Sequence, residues 1–208
     1  MFKRHVYGHL VASVAALGLS LAVLAAGGGG SGDVMPPTAT PYGYSLDDMA
    51  GAVADFSISG NDVDLYPDTP FTILYHRPGD AFTVRAGSIL YVKFFFIDDS
   101  PPVLGDFPED KEGAAEYVFG RDQLGAHDLK LVVDGRVTSL DEAGFIGMAP
   151  TPTSPDGSEN IVQIGAFVTP LTKGVHTVSI SGVFDGDAMI EAFGGPFAGA
   201  ITYTVTVK

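Results

Sequence analysis

From Ile201 to Val207 apolar and hydroxyl side chains alternate without a break, with Ile201, Tyr203, Val205 and Val207 on one side and Thr202, Thr204 and Thr206 on the other. A period of two is the spacing of an extended strand, and it implies one buried and one solvated face. The signature recurs upstream. Val178 and Ile180 alternate with Thr177, Ser179 and Ser181, the residues Leu129, Leu131 and Val133 share one parity, and Phe82 and Val84 oppose Thr83 and Arg85. Asp134-Gly135 lies between Leu129–Val133 and Arg136–Leu140 and supplies the positive φ angles of a two-residue hairpin turn. Phe71–His76 and Ile161–Val168 read as further strands. The stretch Ile89–Ile97 (ILYVKFFFI) is almost wholly apolar, which predicts a central strand covered on both faces. Its one charge, Lys93, is expected to lay its stem along apolar neighbours and hold its ammonium in water. Only Leu46–Ala54 has a helical look, and Ala114–Phe119 fits either a helical turn or a short strand. The stretches 98–113, 149–160 and 186–199 are rich in Pro, Gly or small polar residues and read as irregular. The whole pattern predicts an all-β chain folded as an Ig-like antiparallel β-sandwich.

The start of the chain has a different character. Lys3 and Arg4 precede an uncharged apolar run from Leu10 to Ala26, and small residues close it. That is the layout of a secretory signal segment. The run falls just short of the roughly 20 residues that span a bilayer, and glycines follow it rather than a basic cluster. The expected organisation is a signal peptide over 1–26, a flexible linker over 27–42 and a single sandwich domain over 43–208. An exported protein, periplasmic or extracellular, with no membrane insertion after cleavage, is the corresponding expectation. Gly27–Gly32 (GGGGSG) has the spacing of a dinucleotide fingerprint, but no strand precedes it, so it reads as tether. There is no cysteine, so the core must hold the fold without disulfides.

The formal net charge is -14, with 25 Asp and Glu against 11 Lys and Arg. Nucleic acid and anionic membrane surfaces are poor partners for such a chain, because each phosphate contact needs a cation.

The segment Leu171-Thr-Lys-Gly174-Val-His176-Thr-Val-Ser-Ile-Ser-Gly182, with the closing Tyr-Thr-Val-Thr-Val, resembles the last two strands of bacterial Ig-like domains. It is also similar to a set of exported bacterial proteins of unassigned function, and Val84-Arg-Ala-Gly87 resembles an earlier part of that set. The resemblance implies a sandwich and no particular activity.

Residues that could carry chemistry are few. The nucleophile elbow, the S-x-x-K pair and the H-E-x-x-H zinc motif are absent, and no catalytic residue is assigned. His76, His127 and His176 have no metal-ligand spacing. His176 shares parity with Val178 and Ile180, so it is expected at the core edge, bonded to a nearby backbone group. Tyr42, Tyr44, Tyr66 and Tyr117 could offer a sugar a stacking face, but are expected to cap the core. The carboxylates Asp98, Asp99, Asp106, Glu109 and Asp110 gather in one loop and are the candidate ligands for Ca²⁺, a cation that takes several oxygens from loops. Asn61, Asp62, Asp64 and Asp68 form a second, weaker oxygen-rich segment. No cofactor is expected unless such a loop binds Ca²⁺. The sequence therefore points to an exported, non-enzymatic sandwich that serves as a binding or structural module, with a protein or glycan partner. The alternatives are a Ca²⁺-dependent carbohydrate-binding domain and, after it, a hydrolase using loop carboxylates.

Overall fold

The computed structural model describes residues 31–141, 143–151 and 157–208. The expected signal segment lies outside the described residues. Among the described residues nine strands form two sheets. Strands β1 (Thr72–Leu74), β3 (Leu90–Asp98), β7 (Asn160–Val168) and β6 (Ile146–Pro150) make the first, in that order. The second runs β2 (Ala81–Val84), β9 (Phe197–Val207), β8 (Gly174–Phe184), β4 (Ala126–Val133) and β5 (Arg136–Ser139). Their inner faces pack together: Leu90, Val92, Ile164 and Val168 of the first sheet share one core with Leu131, Val178, Ile180 and Val205 of the second. The protein is thus mostly β, with a sandwich-like arrangement.

Two edge pairs are parallel, β1 with β3 and β2 with β9, so the sheets are mixed rather than purely antiparallel. The reason is the path of the chain. From β1 to β2 to β3 it passes between the sheets each time. No tight hairpin turn joins these neighbours, and antiparallel pairing is therefore not imposed.

Among the described residues four short α-helices accompany the strands: α1 (Leu46–Ala52), α2 (Ala54–Ile58), α3 (Lys111–Phe119) and α4 (Asp187–Phe193). The first begins on a reciprocal cap. Asp48 N–H donates to Ser45 Oγ at 3.1 Å, and Ser45 N–H donates to the Asp48 carboxylate at 2.8 Å. The hydroxyl and backbone bonds from Ser45 lower the Asp48 pKa. Leu46, Met49, Ala50, Val53 and Ala54 recur at helical spacing and are buried. They cover the outer face of the first sheet, on Ile73, Tyr91 and Phe167 at one end and Ala149 and Ile161 at the other. This cover is why Ile89–Ile97 can be apolar on both sides. A β-bulge between Lys93 and Phe95 breaks the alternation, and both Phe94 and Phe95 turn to the inter-sheet core. The Phe95 ring stacks on Phe184 at 4.2 Å.

The Asp134-Gly135 hairpin forms as its sequence implies, with φ of 49° and 81°. Ser31–Met35, within the stretch expected to be a tether, is bonded to the end of β7: Val34 bridges Val168, and Met35 N–H donates to Phe167 O at 2.8 Å.

Candidate binding surface

The strand directions bring the β3–β4 and β8–β9 connections to one end of the sandwich. The second and most of the first read as irregular from sequence, with Ala114–Phe119 open to a helical turn or a short strand, and both contain a helix. In the first, Asp110 is the N-cap of α3 and accepts from Gly113 N–H at 3.0 Å. In the second, α4 ends at Gly194 with φ 77°, the left-handed C-terminal signal that glycine supplies most readily. That signal was present in the sequence, but α4 covers only two turns between glycine clusters, too short for a helical period to stand out.

The two connections are locked together. Gly186, Asp187 and Ala188 N–H groups donate to the carbonyls of Leu124, Arg121 and Gln123 at 3.0, 2.9 and 3.2 Å. Gln123 also accepts from Asp106 N–H at 2.9 Å. Gly125 and Gly186 approach so closely that a Cβ on Gly125 would lie 2.4 Å from Gly186 N. Met189 is fully buried and pins α4 down. On the outward side of the same helix, Ile190 is 39% and Phe193 47% exposed. Asp187 and Glu191 lie on the same helix and Asp185 just before it, Asp122 lies in the segment bonded to the start of the helix, Asp106 bonds Gln123, and Arg121 is paired with Asp185 at 3.2 Å. The α4 end thus combines a fixed apolar step with an excess of carboxylates.

The five carboxylates considered for Ca²⁺ are placed as follows. Asp98 accepts from Ser100 N–H and its hydroxyl. Asp99 accepts from Glu159 and Asn160 N–H at 2.6 and 2.9 Å and from the Asn160 amide at 2.9 Å. Burial acts to raise the Asp99 pKa, but the bonds from Asn160 and Glu159 outweigh it and lower the value. Asp106 faces Gln123, Asp110 caps α3, and Glu109 is exposed. In the second segment Asp62 accepts from Asp64 N–H, and Asn61 bonds Lys93. Among the described residues no group of three or more His, Asp or Glu side chains is arranged to hold a metal ion.

Of the five histidines, the three among the described residues, His76, His127 and His176, fall in no common cluster. His76 pairs with Asp80 at 3.1 Å, and His127 pairs with Asp128 at 3.1 Å. His176 lies at the core edge, with Nδ1 2.6 Å from Asp134 Oδ2 and Nε2 2.9 Å from the Thr172 carbonyl. It ties the β4–β5 turn to the β7–β8 turn, and its backbone partner is of the kind its parity implies. Of the tyrosines, Tyr44 packs edge-on to Phe71, Tyr66 edge-on to Phe56, and Tyr117 is buried with its hydroxyl donating to Leu104 O at 2.8 Å. Tyr42 is the most exposed of them, and Tyr66 is also partly open to solvent.

Lys93 departs from its expected place. It is 6% exposed rather than snorkelling to water. Its Nζ donates to Ser57 Oγ at 2.8 Å and Asn61 Oδ1 at 2.6 Å, and lies 5.0 Å from the Phe56 ring centre. Burial pulls its pKa down to about 7. The sequence could not show this, because α2 and the left-handed Gly60-Asn61 turn close over the ammonium only in the folded chain. Gln163, one residue along the same face of β7 from Gly165, is 1% exposed, and neither atom of its amide has a partner among the described residues.

No family model and no curated protein matches this chain. Among solved structures, the cysteine protease inhibitor EhICP2 from Entamoeba histolytica is similar over 68% of this chain and 99% of its own, at 11% identity and a TM-score of 0.32. The solution structure of Amebosin is similar over 67% of this chain and all of its own, at 10% identity and a TM-score of 0.27. Likenesses of this size carry no argument about function.

Proposed function

We propose that the protein is an exported, non-enzymatic module of Ig-like type that binds a protein partner through the α4 end of the sandwich. The observation that carries this reading is the exposed pair Ile190 and Phe193 on a helix that backbone hydrogen bonds and Met189 hold in place. Large apolar side chains left in water on a rigid support, at an end rich in carboxylates, suit an interface core with charged neighbours. A rigid sandwich carrying its recognition residues on one end is also a common use of the architecture. Aromatic anchors of this sort dominate binding energy where they become buried.

Site-specific photo-crosslinking in the exporting cell tests the reading. A photoreactive side chain at Phe193 should give discrete protein adducts, while one at Thr202, exposed midway along the outer face of the second sheet, should not. Equal labelling at both positions, or none at Phe193, would overturn it.

A further inference from the structure

The end opposite α4 is built from the β4–β5 turn, the β7–β8 turn and the paired ends of β2 and β9. Arg85, Arg136, Lys173 and Lys208 are exposed there, four of the nine Lys and Arg among the described residues. Two carboxylates lie among them, Asp33 paired with Arg136 and Asp134 paired with His176, so the excess cations are Arg85, Lys173 and Lys208. Val175, 69% exposed, lies on the outer face of the second sheet at this end, and Val137, 63% exposed, lies on the same face level with Ser179, midway along β8. One end of the sandwich therefore presents an exposed valine among cations, and the other presents Ile190 and Phe193 among carboxylates.

We infer that the protein associates with itself head to tail, the α4 end of one copy seated on the Val175–Lys173 end of the next. This rests on the reading of the α4 end as a binding surface and names its occupant as a second copy of the chain. Charge complementarity selects that occupant. Two α4 ends brought together would place like charges in contact, whereas an α4 end meeting the basic end pairs opposite signs beside the apolar side chains of each. The net charge does not forbid the contact. Strands β8 and β9 separate the ends by roughly 35 Å at about 3.3 Å per residue, several times the ~8 Å screening length at physiological salt, so each end acts through its local charge. A contact that joins two different surfaces need not close at a dimer and extends into a chain or ring.

Two end-blocked variants of the full chain test the inference by sedimentation velocity. Phe193→Ser with Asp187→Lys and Glu191→Lys blocks one end. Arg85→Glu with Lys173→Glu and Val175→Ser blocks the other. All six positions are exposed and outside the core, and circular dichroism with thermal melting checks that each variant folds like the parent. The parent should grow in mass with concentration beyond a dimer, and less so in high salt. Phe193→Ser alone should weaken association roughly tenfold or more, as for an interface anchor. Each blocked variant alone should remain monomeric, and their equimolar mixture should form dimers that grow no further, since one competent surface of each kind remains. A parent that stays monomeric, stops at a dimer, or associates equally well with either end blocked would overturn the inference. Should Phe193 crosslink a different protein while the parent stays monomeric, the binding surface stands and the self-association falls.

Discussion

A lysine ammonium costs free energy wherever water cannot reach it, and Lys93 shows how the fold lowers that cost. Two oxygen acceptors, Ser57 and Asn61, and the Phe56 ring replace solvent around Nζ. Its pKa still falls to about 7 through burial. An unfolded lysine keeps its proton to about pH 10.4. Between the two values the unfolded chain binds more protons, so the Lys93 contribution makes stability rise with pH, at up to about 1.4 kcal/mol per unit. Below about 7 both states are protonated and the burial cost is complete. Urea unfolding from pH 7 to 9 should show this upward slope, and Lys93→Met should flatten it. Parallel slopes in parent and variant would place the ammonium in water after all.

At the scale of elements, the docking of α1 depends on a glycine. A Cβ on Gly147 of β6 would stand 2.2 Å from the Leu46 carbonyl oxygen and 3.2 Å from Ala50 Cβ, so the helix backbone can lie against the strand only because no side chain intervenes. Gly147→Ala forces backbone apart rather than a side chain aside. It should destabilise the protein by about 1–3 kcal/mol in chemical denaturation, the range for overpacked interiors. Amide exchange should quicken first in 46–58, because that segment loses its seat while the inter-sheet core remains. Uniform exchange across the molecule would contradict this account. The hairpin β4–β5 shows the opposite situation. Its turn is specified by two adjacent residues and was legible in the sequence, since the positive φ angles at Asp134 and Gly135 need no distant partner. Helix α4 was not legible, because it is short and glycines flank it, whereas α3 was half-legible: Ala114–Phe119 fits a helical turn or a short strand, and the Asp110 cap and the packing of Ala114, Tyr117 and Val118 decide for the helix.

At the scale of the molecule, charge is unevenly distributed. The α4 end is acidic, the opposite end carries exposed Arg and Lys, and the strands between them carry mainly hydroxyls on the open face of the second sheet. No helix among the described residues is long and apolar enough to cross a membrane. If the apolar run at the start acts as a secretory signal, protein recovered from the exported fraction should lack about the first 25 to 27 residues by intact mass. Full-length protein confined to the membrane pellet would refute that expectation. Cleavage there would remove Lys3 and Arg4 and leave a net charge of -16, deepening the acidity without touching either end of the sandwich.

The sequence by itself located most of the strands, the buried side of those that alternate, and Ile89–Ile97 between two layers, because side-chain alternation and turn chemistry act over a few residues; Ile146–Pro150, which lacks that alternation and is a strand through its pairing with β7, was not read. It also located the acidic loop. The tertiary structure alone decided what those carboxylates do. Asp99 holds the start of β7, Asp110 caps a helix and Asp106 meets Gln123, and each role depends on a partner brought near by the fold. The same holds for the parallel edge pairs, which follow from a chain crossing between sheets, and for the burial of Lys93 beneath α2. The candidate surface belongs with these. Ile190 and Phe193 look like any apolar residues in the sequence, and only the packing of Met189 on the inner side of α4 leaves them facing water.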